Sequence, residues 1–151
     1  MSDLRDLYQQ MIVDHAKTPR NFGRLGAEAR RVDGVNPLCG DRLALFVLVE
    51  RDEIADIAFE GSGCAISTAS ASLMTETVRG RTVAEARELA DRFHKIVTSP
   101  PDGPLPPGEG LGKTTVLAGV REFPARIKCA TLAWHSLRAA LAGTASSVST
   151  E

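Results

Sequence analysis

The residues of this chain best suited to chemistry are its three cysteines, Cys39, Cys64 and Cys129. An odd number of cysteines cannot all pair as disulfides, and a free cysteine often packs as a small buried hydrophobic residue. Cys39 lies in a loop over residues 36–41, with the sequence Asn-Pro-Leu-Cys-Gly-Asp. Because residues two apart in an extended segment point the same way, we expect the Cys39 sulfur and the Asp41 carboxylate to face one point.

The other two cysteines are expected at the beginnings of helices. Cys64 follows the glycine-rich residues 61–63, and Cys129 is predicted in the first turn of the last helix, beside Arg126 and Lys128. The positive end of a helix and nearby cations both favour a thiolate. Three thiolates and one carboxylate form a set that suits zinc or an iron–sulfur cluster. The long spacings match no short metal-binding motif, so spacing alone leaves open both a metal site and three unrelated thiols.

The histidines are weaker candidates for ligands. His15 falls on the apolar side of the first predicted helix, where a histidine is typically a hydrogen-bonded core residue. His94 follows the predicted core residue Phe93 and is expected to face solvent. His135 lies about 240° around a helix from Cys129 and should face away from it.

The remaining pattern predicts the elements that position these residues. β-forming residues at 42–50 and 54–60, with a polar break between them, predict an antiparallel hairpin, and a short strand is expected near residues 29–32. We therefore predict an α+β fold, a small antiparallel β-sheet of about three strands with helices packed on it. The predicted helices cover residues 3–17, 65–79, 83–97, 115–122 and 126–142, and a capping box at 82–85 opens the third.

Length and composition suit one domain. The chain has 151 residues, of which 43% are hydrophobic and 25% charged. We assign residues 1–143 to this domain and residues 144–151 to a disordered tail of small polar residues. Residues 99–112 are rich in proline and glycine, which predicts a surface loop or mobile insertion.

Charge and hydropathy exclude several classes of function. The net charge of −1 indicates neither a nucleic-acid groove nor a polybasic membrane anchor. No apolar run approaches the ~20 residues of a membrane span, and the acidic N-terminus does not resemble a signal peptide. We therefore expect a cytoplasmic protein with no nucleic-acid or membrane partner.

The three cysteine segments together resemble the IscU-like iron–sulfur cluster assembly family. The resemblance is carried by residues 36–41, 61–67 and 126–130, in this order, and it covers roughly residues 4–142. Within the family the chain is most similar to the SufU branch, because SufU-like sequences carry an insertion where residues 99–112 lie. The chain also lacks the Leu-Pro-Pro-Val-Lys sequence that the cluster scaffolds carry before the third cysteine.

The resemblance implies a fold like that of IscU, SufU and the NifU N-terminal domain, with zinc held by Cys39, Asp41, Cys64 and Cys129. It also implies that Cys39 accepts persulfide sulfur from a pyridoxal-phosphate cysteine desulfurase of the SufS type. The protein would then be a zinc-dependent sulfurtransferase that passes sulfur to downstream iron–sulfur assembly proteins. Arg126 is expected either to steady the anionic ligands by its charge or to be an ordinary solvated surface residue.

Two other functions remain open at this stage. The same four ligands could carry a labile [2Fe–2S] cluster, which would make the protein a scaffold. Alternatively, the zinc site could be structural, with no transfer of sulfur.

Overall fold

A four-stranded sheet forms the centre of the computed structural model, which describes residues 2–143 and 146–150. Strands β1 (Arg30–Asn36), β2 (Asp41–Glu50) and β3 (Glu53–Ser62) pair antiparallel. A short strand, β4 (Ser147–Ser149), pairs parallel with β1, so that the order across the sheet is β3-β2-β1-β4. The predicted α+β class and the β2–β3 hairpin are confirmed.

The β2–β3 hairpin forms because both its turn residues and its buried strand residues favour it. Arg51 and Asp52 both have positive φ angles, of 53° and 63°, which suit the tight turns that join twisted antiparallel strands. Leu45 and Val47 of β2 are fully buried and belong to the same hydrophobic core as Ile57 of β3. One face of the sheet is therefore buried against the helices. This burial fixes the pairing register of the strands.

Among the described residues, two α-helices lie directly on the strands of the sheet, and two further α-helices and a 3₁₀ helix pack on those two. The α-helices are α1 (Ser2–Lys17), α2 (Ala65–Val78), α3 (Val83–Val97) and α4 (Pro124–Ala142), and the 3₁₀ helix spans Gly112–Glu122. The small residues of α2 let it approach α4 closely, and the Ser70 hydroxyl donates a hydrogen bond of 2.6 Å to the Ala130 carbonyl. The predicted capping box at the start of α3 is present. No helix among the described residues is long and apolar enough to cross a membrane.

The expectation of a disordered tail is wrong for residues 147–149, which form β4. The physical reason is that β1 offers an open edge on the side away from β2. The Asp33 amide donates to the Ser146 carbonyl at 2.9 Å, and the Thr150 amide donates to the Val35 carbonyl at 3.1 Å. The rest of the predicted tail, residues 144, 145 and 151, lies outside the described residues.

Arginine side chains fasten the proline- and glycine-rich loop that precedes the 3₁₀ helix. The Arg121 guanidinium donates hydrogen bonds to the Ser99 hydroxyl and to the Gly103 carbonyl, each 3.0 Å long. Arg92 donates to the Glu109 carbonyl at 2.8 Å. The beginning of the loop is thus attached to the 3₁₀ helix through Arg121, and its end is attached to α3 through Arg92.

His15 is the core residue that the sequence predicts. It is 2% exposed, and its Nδ1 lies 2.7 Å from the Ser72 hydroxyl, so it joins α1 to α2. Burial lowers the pKa of His15 below its usual 6.5, and the nearby Arg20 charge lowers it further.

We predict that the His15→Asn variant loses part of the pH dependence of stability. The unfolded chain binds a proton near pH 6.5, whereas folded His15 binds it at lower pH, so wild-type stability falls as the pH drops below that value. Asparagine keeps a polar atom near the position of Nδ1 but does not titrate. Urea unfolding between pH 5 and 8 should show a wild-type curve that falls more steeply at the acid end, and parallel curves would contradict the role of His15.

Candidate metal centre

The turn between β1 and β2 presents Cys39. Asn36 and Asp41 are the last pair of the two strands, and the Gly40 amide donates to the Asn36 carbonyl at 2.9 Å to close the turn. Gly40 has a φ of 73°, in the left-handed region that glycine adopts without strain. Cys39 itself is exposed.

Three of the predicted donors meet at this turn. One ligand atom from each of Cys39, Asp41 and Cys129 lies within 4.8 Å of the other two. The two sulfur atoms are 3.4 Å apart. Asp41 and Cys129 are each 1% exposed, so the cluster has two buried donors and one that faces solvent. The expected convergence of Cys39 and Asp41 is therefore present in the structure.

Cys64 adjoins the cluster but is not one of its three members. It is the N-cap of α2, as the sequence predicts, and its sulfur accepts a hydrogen bond from the Ser67 amide at 3.4 Å. Its own amide donates to Asp41 Oδ1 at 2.9 Å. The backbone of Cys64 thus holds the aspartate, while its sulfur caps the helix.

The environment of Cys129 differs from the expected one. Helix α4 begins at Pro124, because proline is well tolerated at the first position of a helix, and this places Cys129 in the second turn. Burial raises the pKa of the Cys129 thiol well above its usual range, and the side chains of Cys39, Cys64 and Asp41 raise it further. The predicted position in the first turn is therefore wrong, and the burial of this cysteine opposes the effect expected from the helix dipole and the cations.

These surroundings suit a metal cation. Crowded thiols beside a buried carboxylate repel one another when they ionise, and a cation relieves that repulsion and deprotonates bound thiols. Sulfur and carboxylate donors are ligands that zinc accepts in tetrahedral sites. The donor chemistry thus fits the predicted metal.

Gly63 allows Asp41 and α2 to approach each other. A Cβ atom at this position would lie 2.5 Å from Asp41 Oδ1, closer than real Cβ contacts allow. The glycine-rich residues 61–63 therefore serve the close approach of backbone to the aspartate.

The other candidates lie away from the cluster. Arg126 is exposed, and its guanidinium lies 5.6 Å from the centre of the Phe123 ring. The rings of His94 and His135 are 5.8 Å apart, and neither histidine belongs to a group of three or more donors among the described residues. His94 is half-buried rather than fully exposed as expected, because its Nδ1 is buried and its ring lies beside that of His135.

Sequence reasoning missed the contacts of Asn36. This residue is fully buried, and its amide nitrogen lies 2.9 Å from Asp41 Oδ2 and 3.5 Å from the Cys129 sulfur. The Asn-Pro pair indicates a turn, but no local signal connects Asn36 with a cysteine 93 residues away.

Fold and site together define a small α+β protein with a cysteine–aspartate centre at one end of its sheet. The family model described as "NifU-like N terminal domain" matches residues 7–143. The chain belongs to this family, which includes the IscU and SufU proteins of iron–sulfur cluster assembly. The predicted family resemblance is thus confirmed.

Relatives named as an assembly scaffold and as a sulfurtransferase are both similar to this chain over most of its length. The iron–sulfur cluster assembly scaffold protein IscU of Streptococcus pyogenes is 46% identical over 142 residues, covering 93% of this chain and 86% of the relative. The zinc-dependent sulfurtransferase SufU of Bacillus subtilis is 42% identical, covering 93% of each chain. A solved structure from Fervidobacterium islandicum, described as a putative iron–sulfur cluster assembly scaffold protein for the SUF system, superposes with a TM-score of 0.82. It is 33% identical and covers 91% of this chain and 98% of that one.

We predict that Gly63→Ala weakens metal binding, whereas Gly26→Ala does not. The added methyl group at residue 63 collides with Asp41, while a Cβ at Gly26 meets no atom within 4 Å. Zinc titration against a chromophoric chelator should show a dissociation constant raised by about tenfold or more for Gly63→Ala. Equal affinities for the two variants would show that the position of Asp41 does not matter for binding.

Proposed function

We propose that this protein is a zinc-dependent sulfur acceptor that takes persulfide sulfur on Cys39 from a SufS-type cysteine desulfurase. The supporting observation is the contrast in exposure within the cluster, because Cys39 is exposed on a turn while Asp41 and Cys129 are buried. The 42% identity to a zinc-dependent sulfurtransferase supports the same function. The sulfur would then pass to downstream iron–sulfur assembly proteins.

Cys39, Asp41, Cys64 and Cys129 would hold the zinc. The metal supplies charge that keeps bound thiols deprotonated, and it undergoes no redox chemistry of its own. Asp41 and Cys129 lie on β2 and α4, whose packing fixes them. The Cys64 sulfur would turn toward them from its contact with the Ser67 amide, in which sulfur is only a weak hydrogen-bond acceptor.

The transfer step is a thiol–persulfide exchange. The Cys39 sulfur attacks the outer sulfur of the persulfide on the desulfurase, and a new sulfur–sulfur bond forms on Cys39. The sulfur–sulfur bond of the donor breaks, and the desulfurase cysteine leaves as a thiolate, so no external oxidant or reductant is needed. Cys39 suits this role because it is exposed and lies beside Gly40, in a turn that can move without disturbing the core.

A second candidate function is a scaffold for a labile [2Fe–2S] cluster on the same four ligands. The 46% identity to a protein named as an assembly scaffold favours it. Thiolate ligands serve zinc and iron–sulfur clusters alike, so the metal itself must be measured.

Metal content and desulfurase turnover, measured on one anaerobic sample, test the proposal. We expect a colourless protein with about one zinc per chain, as a four-ligand structural-type site binds, that accelerates alanine release by the SufS-type desulfurase of the same organism. A brown protein with bound iron and sulfide would instead support the scaffold. Bound zinc without any acceleration would leave a structural zinc site and contradict the proposal.

We predict that Cys39→Ser abolishes sulfur acceptance. Serine has no sulfur that can form the new bond. Mass spectrometry after incubation with the desulfurase and cysteine should find one added sulfur on the Cys39 peptide of the wild type and no added sulfur on the Cys39→Ser variant. Added sulfur on Cys64 or Cys129, with Cys39 unmodified, would contradict the assignment.

A further inference from the structure

Asn36 is a buried polar residue with an unusual set of contacts. It is the last residue of β1, pairs with Asp41 across the turn, and is fully buried. Its amide nitrogen donates to Asp41 Oδ2 at 2.9 Å and lies 3.5 Å from the Cys129 sulfur. One side chain thus contacts two candidate ligands that are carried by different elements, β2 and α4.

The orientation of the Asn36 amide follows from these neighbours. A flipped amide would direct Oδ1 at the carboxylate oxygen and the sulfur, where acceptors would face each other. In the observed orientation, Oδ1 is buried and has no hydrogen-bond partner among the described residues. An unsatisfied buried acceptor is unfavourable, so the two contacts of the nitrogen must offset this cost for the fold to keep the orientation.

Asp41, Cys129 and Cys39 are therefore held to different extents. Asp41 accepts hydrogen bonds on both oxygens, from Asn36 and from the Cys64 amide. Cys129 lies within a packed helix and contacts Asn36 as well. The Cys39 sulfur lies 3.4 Å from the Cys129 sulfur, and among the described residues neither a backbone amide nor an amide side chain fixes it.

We propose that Asn36 is a positioning residue, which fixes Asp41 and Cys129 as ligands and leaves Cys39 as the sulfur that can exchange. This inference rests on the proposed function. A hydrogen bond to a ligating sulfur withdraws electron density and lowers its nucleophilicity, so the same contact disfavours attack by Cys129. Asn36 thereby directs incoming sulfur to Cys39.

Zinc affinity and the spectrum of the cobalt-substituted protein test this role. Asn36→Leu has a similar volume but lacks the amide. Ser136→Ala is the control, since Ser136 is fully buried and its hydroxyl donates to the Leu132 carbonyl within its own helix. We expect Asn36→Leu to raise the zinc dissociation constant by about 10- to 100-fold and to shift the sulfur-to-cobalt charge-transfer band. Ser136→Ala should change neither, even where it lowers the melting temperature.

The site of sulfur loading provides a second readout. In Asn36→Leu, added sulfur should appear on Cys129 as well as on Cys39. If Asn36→Leu does not fold, Asn36→Ser replaces it, since serine keeps one hydroxyl donor. Its zinc dissociation constant should then lie between that of the wild type and the about 10- to 100-fold higher value expected without any donor. A variant that lacks the amide but retains wild-type affinity, cobalt spectrum and loading site would overturn the inference.

The two proposals fail in different ways. A wild-type protein that binds no zinc and accepts no sulfur contradicts the proposed function and the inference with it. A wild type that does both, beside an Asn36→Leu variant indistinguishable from it, contradicts only the role of Asn36.

Discussion

The hydrogen bonds of the Asp41 carboxylate connect the parts of the site. The carboxylate is buried, and it accepts from the Asn36 amide on one oxygen and from the Cys64 amide on the other. A buried carboxylate is costly unless hydrogen bonds or a cation stabilise its charge, so these contacts must form when the chain folds. Through them the β1–β2 turn is joined to the beginning of α2, and Asn36 extends the connection to α4.

The close packing of the helices explains why the cluster has both rigid and movable members. Helix α4 is held by the core, where Trp134 stacks on Phe93 with ring centres 4.9 Å apart. Cys129 shares that rigidity because it lies in the second turn of the same helix. Cys39 lies on a turn outside the strands, in which the Gly40 amide donates to the Asn36 carbonyl. A local opening at Cys39 therefore costs far less than one at Cys129.

The sequence predicts those features whose signals are local. The β2–β3 hairpin, the capping box at Thr82 and the N-cap position of Cys64 each follow from a few neighbouring residues. Strand β4 could not be predicted, because its serine-rich sequence has little β-propensity and its pairing depends on the distant edge of β1. The raised pKa of Cys129 also escaped prediction, since it arises from burial and from side chains that only the fold brings near.

The proposed ligand set is compatible with both kinds of name among the relatives of this chain. Three cysteines and an aspartate fit both zinc and an iron–sulfur cluster. Whether such a site retains its metal or transfers sulfur therefore depends on how firmly each donor is held. A donor fixed by the backbone and by an amide favours retention, whereas an exposed donor on a turn favours exchange. In this chain Asp41 belongs to the first kind and Cys39 to the second. Under the proposed function, a site with both kinds of donor would keep its metal through the buried donors while the exposed sulfur reacts.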